Sequence, residues 1–243
     1  TLPVDLMQTG AMKNYRNASR WTVLFLATGF LALSASSGAT PTPVESGWEE
    51  INAKEGIAVY SKDIEGSPLV AFRGVGVIDA PVAKVMSVLY DSSRKTEWVN
   101  RAVEARDVRQ ISPYERIEYN HSATPWPLKD RDFVFNAKVE IDEPGKFLTL
   151  TIRSVDEASM PENDCCVRAN LIESRYVVRP VEGGLKTEVD VQIQIDPKGS
   201  IPKWFANIVQ KSWPRKTLEG IRAQAARTDV AEHPLYKEVF KKN

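Results

Sequence analysis

Two histidines, two cysteines and a scatter of carboxylates are the residues of this chain best suited to chemistry. A Ser–His hydrolase needs its hydroxyl and imidazole on one side of the backbone. His121 and Ser122 are neighbours in a segment that alternates like a strand, so they point to opposite faces. His233 falls in a polar stretch near the end. Cys165 and Cys166 are adjacent, with both histidines distant in sequence. A zinc site takes about three or four N, S or O ligands at organised spacing, which this pattern does not supply. A bond between neighbouring cysteines is strained, so free or partly buried thiols are expected. Gly74-x-Gly76 lacks the strand-to-helix setting of a dinucleotide loop; on one strand face the pair leaves room for another element or marks a bend. Asp130, Arg131 and Asp132 stand at a strand start, where an ion pair that fixes the turn is the simplest reading. Spacing alone therefore points to no catalytic residues, no metal and no cofactor.

The elements that position these residues begin after an unusual N-terminus. In the segment that starts at Met12, Lys13, Arg16 and Arg20 precede an apolar run from Trp21 to Leu33. Small residues follow, from Ser34 to Ala39. This is the order of a secretory signal peptide, and the run is shorter than the ~20 residues a membrane span needs. Cleavage is expected after Ala39, with periplasmic or secreted delivery. Residues 1–11 precede a plausible initiator and carry no structural signal. The whole chain holds 32 basic and 32 acidic residues, without the basic excess of a nucleic-acid-binding domain. Residues 1–39 contain three of the basic and one of the acidic residues, leaving 29 and 31. That balance gives no drive for tight adhesion to an anionic membrane.

Past an extended leader from Thr40 to Ser46, a short helix is expected over residues 47–52. Strands follow over 57–63 and 69–78. Pro81 opens a helix with Val82, Val85, Met86 and Leu89 on one face. Further strands are expected over 102–111, 115–123, 131–141, 147–155, 167–180 and 185–195. Phe133, Phe135, Ala137, Val139 and Ile141 share one strand face, and Val189, Val191, Ile193 and Ile195 another. Pro125 and Pro127 keep their segment irregular. Successive strands with short turns pair antiparallel, which gives an α+β layout with helices on one side of a sheet.

The last element runs from Asp196 to Ala226. Pro202 suits a first helical turn, and Trp204, Phe205, Ile208 and Val209 form an apolar stripe. Pro214 is expected to kink the helix before Leu218, Ile221 and Ala225 resume the stripe. Lys203, Lys211, Arg215, Lys216, Glu219 and Arg222 read as its outer side. The tail from residue 228 to 243 is polar and expected to be loosely held.

Four places now carry a resemblance to the START (StAR-related lipid-transfer) domain family. They are Asp91-Ser92-Ser93-Arg94 through Trp98; Pro125-Trp126-Pro127-Leu128-Lys129-Asp130-Arg131-Asp132-Phe133-Val134; Ser159-Met160-Pro161 with Val167-Arg168; and Asp196 through Trp204 with Pro214. The resemblance spans about residues 45–226 and implies a domain over 40–227, with 1–39 as upstream extension and signal peptide and 228–243 as tail. It implies a helix-grip fold, in which a curved antiparallel sheet wraps a long C-terminal helix around a hydrophobic tunnel. It also implies binding and transfer of a lipid or sterol-like hydrophobic ligand, with transient membrane contact and no enzymatic activity. Glu118 matches the acid that the family often carries before its Pro-aromatic-Pro turn. Ala137 stands where sterol-binding members may carry a basic partner. Arg94 and Lys95 precede Trp98, but Val99 follows it, and Asn120 stands where the choline-binding type has an aromatic residue. These departures argue against a phosphatidylcholine site.

On this reading the ligand is lined by Arg94, Trp98, Glu118, Asn120, Phe133, Phe135, Val191, Ile193, Trp204, Phe205 and Ile208. The C-terminal helix acts as a lid with Pro214 as its flex point. A monomer is expected, with no nucleic-acid partner. The runner-up is an enzyme on the same helix-grip scaffold, cyclase- or hydrolase-like, with Glu118, Arg94 and Tyr119 as its acid–base candidates.

Overall fold

The computed structural model describes residues 47–142, 146–201 and 203–240, with only the helical backbone for residues 203–210. The signal-peptide segment, the leader at 40–46 and the turn at 143–145 lie outside the described residues. So do the side chains of Trp204, Phe205 and Ile208.

Ten strands are described: β1 (Glu49–Lys54), β2 (Ile57–Asp63), β3 (Val70–Ile78), β4 (Ala102–Ser112), β5 (Glu115–Ser122), β6 (Asp130–Ile141), β7 (Leu148–Ser154), β8 (Cys166–Arg168), β9 (Asn170–Val181) and β10 (Lys186–Asp196). The helices are α1 (Val82–Tyr90), α2 (Lys95–Trp98), α3 (Lys203–Ala225) and α4 (Pro234–Phe240). Nine strands form one path in the order β1-β2-β3-β10-β9-β7-β6-β5-β4, and β8 adds to β6. Every pairing is antiparallel except that of β8 with β6. The α+β layout expected from the strand alternation is observed, and it is the helix-grip arrangement that the family resemblance implies.

The core lies between the sheet and the helices. From α1, Val85, Met86 and Leu89 are buried, and they join Leu148, Val178, Val189 and Val191 of the strands and Leu218 and Ile221 of α3. The two glycines of β3 do what their spacing suggested. A Cβ on Gly74 would stand 2.8 Å from the Pro214 Cβ and 3.1 Å from Leu218 Cδ1. At Gly220 of α3 a Cβ would meet the Trp98 carbonyl oxygen at 2.4 Å. Such distances exclude any side chain, so α3 is seated by glycine at both contacts.

Several expectations fail for physical reasons. Within the expected helix at 47–52, residues 49–52 instead belong to edge strand β1, because pairing with β2 outweighs weak local preference. Arg215 and Arg222 do not belong to an outer face. Arg215 donates to Lys54 O at 2.9 Å and Ile57 O at 3.1 Å; Arg222 donates to Glu55 O at 2.8 Å and Gly56 O at 3.0 Å. They tie α3 to the carbonyls of the β1–β2 turn. The expected long helix with Pro214 inside it is observed, α3 running on both sides of the proline. The tail is not loose as far as Phe240: α4 buries Tyr236 completely against the rings of Tyr90, Tyr114 and His233. The strand expected over 167–180 is split. Ala169 N donates to Asp132 O of β6 and Leu171 N to Ser154 Oγ of β7, so the chain changes partner at this point. Cys165 and Cys166, expected as thiols, form a disulfide.

Candidate functional site

The alternation of β6 has a direct consequence for the interior. Phe133 and Phe135 point toward the helices and line a cavity of about 220 Å³. Leu150 and Ile152 of β7, Leu171 and Tyr176 of β9, and Ile193 and Ile195 of β10 extend its apolar wall. Leu89, Trp98, Trp213 and Thr217 close it from the helical side. Three loops frame one end: Val99–Arg101, Ala123–Pro125, and Pro197 with Ile201. Asn100 and Arg101 are exposed there, so this is the end that faces water. Trp126, next along the chain from Pro125, is 91% exposed. The turn projects this side chain into solvent.

The mouth is tied across by one side chain. Arg131 donates to Lys129 O at 2.5 Å, Pro197 O at 3.2 Å and Lys198 O at 3.1 Å. It thereby joins the β5–β6 turn to the loop before α3. Burial lowers the Arg131 pKa, with Asp130 opposing that shift. The ion pair expected among Asp130, Arg131 and Asp132 is replaced by separate partners. Asp130 accepts from His121 Nε2 and Thr124 N, both at 2.8 Å, and Asp132 makes a two-pronged pair with Arg168.

Polar groups are few on the cavity wall. Lys95 lines it and pairs with the fully buried Glu118, whose other oxygen accepts from Arg116 Nε at 2.6 Å. The Arg116 guanidinium lies 3.7 Å from the Tyr90 ring centroid, with Asp107 at 3.1 Å. Burial lowers the Arg116 pKa, but Glu118 and Asp107 outweigh it and the net shift is upward. Ser174 donates to Gln192 O at 3.2 Å. Burial pushes the Tyr176 phenol up, so it stays neutral at physiological pH. Two buried polar atoms on this wall have no hydrogen-bond partner among the described residues: Asn120 Oδ1 and Trp98 Nε1. Such groups are uncommon in folded proteins. They leave one acceptor and one donor free on the wall.

The residues named from sequence are distributed as follows. Trp98, Asn120, Phe133, Phe135 and Ile193 line the cavity. Glu118 sits behind the wall, reaching it through Lys95. Val191 is fully buried in the core. Arg94 points away, toward Glu97 and Asp229; Arg94 in turn lowers the Glu97 pKa to about 2. The three acid–base candidates do not converge. Arg94 and Glu118 have separate partners, and the Tyr119 ring lies under Arg106, with the guanidinium 5.0 Å from its centroid. Lys95 was legible only as a basic residue before Trp98. Because α2 is four residues long, it carries no periodicity that would show Lys95 turned inward. Nothing but apolar alternation marked Leu150, Ile152 and Leu171.

Comparisons with known proteins agree with this architecture. The chain is 28% identical over 192 residues to an uncharacterized protein of Pseudomonas aeruginosa, covering 79% of this chain and 93% of that protein. It is 25% identical to bovine phosphatidylcholine transfer protein, covering 68% of this chain and 78% of that one. The match to mouse START domain-containing protein 10 is 26% identical and covers 67% of this chain, but only 56% of that longer relative. Among solved structures, human STARD10 superposes with a TM-score of 0.69 at 22% identity, over 82% of this chain and 78% of that chain. A STAR-related lipid transfer protein fragment from Xanthomonas axonopodis gives 0.64 at 29% identity, over 74% and 99%. A family model for the START domain matches residues 39–227, and the chain belongs to the START domain family.

Proposed function

We propose that the protein binds one lipid or similarly hydrophobic molecule in this cavity and carries it across an aqueous gap, without chemical turnover. The observation that carries this reading is the cavity of about 220 Å³ with apolar walls from β6, β7, β9 and β10. An apolar chamber with a few fixed polar groups suits a hydrophobic ligand. Asn120 Oδ1 and Trp98 Nε1 are placed to receive its polar end. Relatives named for lipid transfer, bovine phosphatidylcholine transfer protein and the Xanthomonas axonopodis protein, support the same reading. Loading takes place at the loop end, where Trp126 makes a transient contact with the membrane surface; tryptophan favours that interface. We place the protein in the periplasm or outside the cell, as a monomer, on the signal-peptide pattern of residues 12–39.

The test is native mass spectrometry of the purified chain, followed by lipid extraction. About one lipid per chain is expected. A chain that carries no lipid and takes up none from mixed phospholipid vesicles overturns the reading. A reporter fused after residue 39 should be active only in an exported compartment; activity confined to the cytoplasm refutes the location alone.

A further inference from the structure

The outer face of β5 and β6 carries a cluster that sequence spacing concealed. Asn120 and Ser122 line the cavity, so His121 between them faces the other way. In register, His121 opposes Asp132 of β6, and Asp130 opposes Cys166 of β8. Cys165 precedes Cys166 in the turn and is exposed. A ring nitrogen of His121 and both sulfurs lie within 4.8 Å of one another. Asp130 Oδ2 stands 2.8 Å from His121 Nε2. A carboxylate in that position accepts a hydrogen bond from Nε2–H and leaves the lone pair on Nδ1, the arrangement that orients metal-binding histidines.

We propose that reduced Cys165 and Cys166, with His121, form a three-coordinate site for a soft monovalent cation, Cu(I). Two thiolates and one imidazole match soft, low-coordinate chemistry. Structural zinc takes four ligands, and the other acid at this cluster, Asp130, is already engaged by His121 and Thr124 N. Bond lengths of about 2.0–2.3 Å place three donors roughly 3.5–4 Å apart. The two bonded sulfurs therefore part once reduced, while the imidazole nitrogen and the sulfurs draw together by up to about 1 Å, movements that an exposed turn residue such as Cys165 can supply.

Loading is gated by redox state. In the disulfide neither sulfur is a thiolate. Reduction by a dithiol delivers two electrons and two protons to the Cys165–Cys166 bond, giving two thiols while the reductant closes its own disulfide. Cu(I) then binds both sulfurs and displaces the two thiol protons. The site and the cavity lie on opposite faces of the same strands, so this inference is independent of the lipid reading.

The test uses the full chain, reduced anaerobically with a phosphine and titrated with Cu(I) held by bicinchoninate. Reduced protein should withdraw about one copper per chain, and the oxidised protein none. Cys165→Ser should abolish withdrawal, and His121→Ala should weaken it by about 10- to 100-fold with both thiols still titratable. Circular dichroism confirms that each variant is folded, and X-ray absorption should report two sulfurs and one nitrogen around copper. Equal withdrawal by oxidised and reduced protein overturns the proposal. So does a His121→Ala variant of unchanged affinity, or a shell without nitrogen.

Discussion

The two faces of β5 and β6 are made from alternate residues of the same strands, yet they are built in opposite ways. On the inner face Phe133 and Phe135 leave open volume, with Asn120 Oδ1 and Trp98 Nε1 unpaired around it. On the outer face the polar groups are matched: Asp132 with Arg168, and Asp130 with His121 and Thr124 N. Arg168 also donates to Met160 O at 3.1 Å, which fastens the loop before β8. Behind the chamber, these described charged groups are thus paired with one another. Rigidity and vacancy are supplied by different parities of one strand.

Substitutions on each side should separate these roles. The largest effect is expected for Asp132→Asn, which strands Arg168. Unfolding in urea should show a loss of about 3 kcal/mol, the low end for a broken buried pair because Arg168 keeps some access to water. Lipid content per folded chain should stay at the wild-type level; a parallel loss of lipid would mean that the faces are coupled. Ile193→Trp is the opposite experiment. It fills the inner chamber and should lower bound lipid at least roughly ten-fold, about 1.4 kcal/mol, with a stability cost of about 1–3 kcal/mol from overpacking. Undiminished lipid in that variant would place the ligand elsewhere.

A smaller effect tests the outer face by pH. The Thr124 N–H is the largest influence lowering the Asp130 pKa; His121 and Arg131 add to it, and burial opposes it. A carboxylate lowered in the folded state stabilises above its unfolded pKa of about 3.9, and that contribution is lost as pH falls through the folded value. Asp130→Asn should therefore cost about 1 kcal/mol at neutral pH, and its melting temperature should converge with wild type below about pH 4. A constant difference across that range would assign the effect to packing. Trp126→Ala should change stability least, within about 0.5 kcal/mol, while slowing lipid transfer between vesicles. Equal transfer rates would remove this residue from the membrane contact.

Much of the inner face was legible because it repeats. Phe133 and Phe135, and Val189 through Ile195, announce a buried face by alternation, and α3 announces itself by helical spacing. Glu118 was marked by the family resemblance. Its partner Lys95 was not, since α2 offers a single turn and the pairing crosses from helix to sheet. The His121 cluster was hidden more deeply. It depends on a three-residue strand, β8, pairing parallel to β6, which brings together residues far apart in sequence. Helix α4 left a weak signal, Pro234 at a first turn followed by Leu235, Tyr236, Val239 and Phe240. The polar composition around it concealed an anchor that docks between Tyr90 and Tyr114.

The glycine seats of α3 bear on how cargo passes in and out. Sliding the helix by one residue would bring Glu219 or Ile221 against the Trp98 carbonyl oxygen, where even a methyl group would stand at 2.4 Å. Rotating it would lift Pro214 from Gly74. The helix is indexed at residues 214 and 220 like a key in a lock, so a swing about Pro214 is confined to the turns before it. Directly before those turns lies the loop that the Arg131 guanidinium clasps through Pro197 O and Lys198 O.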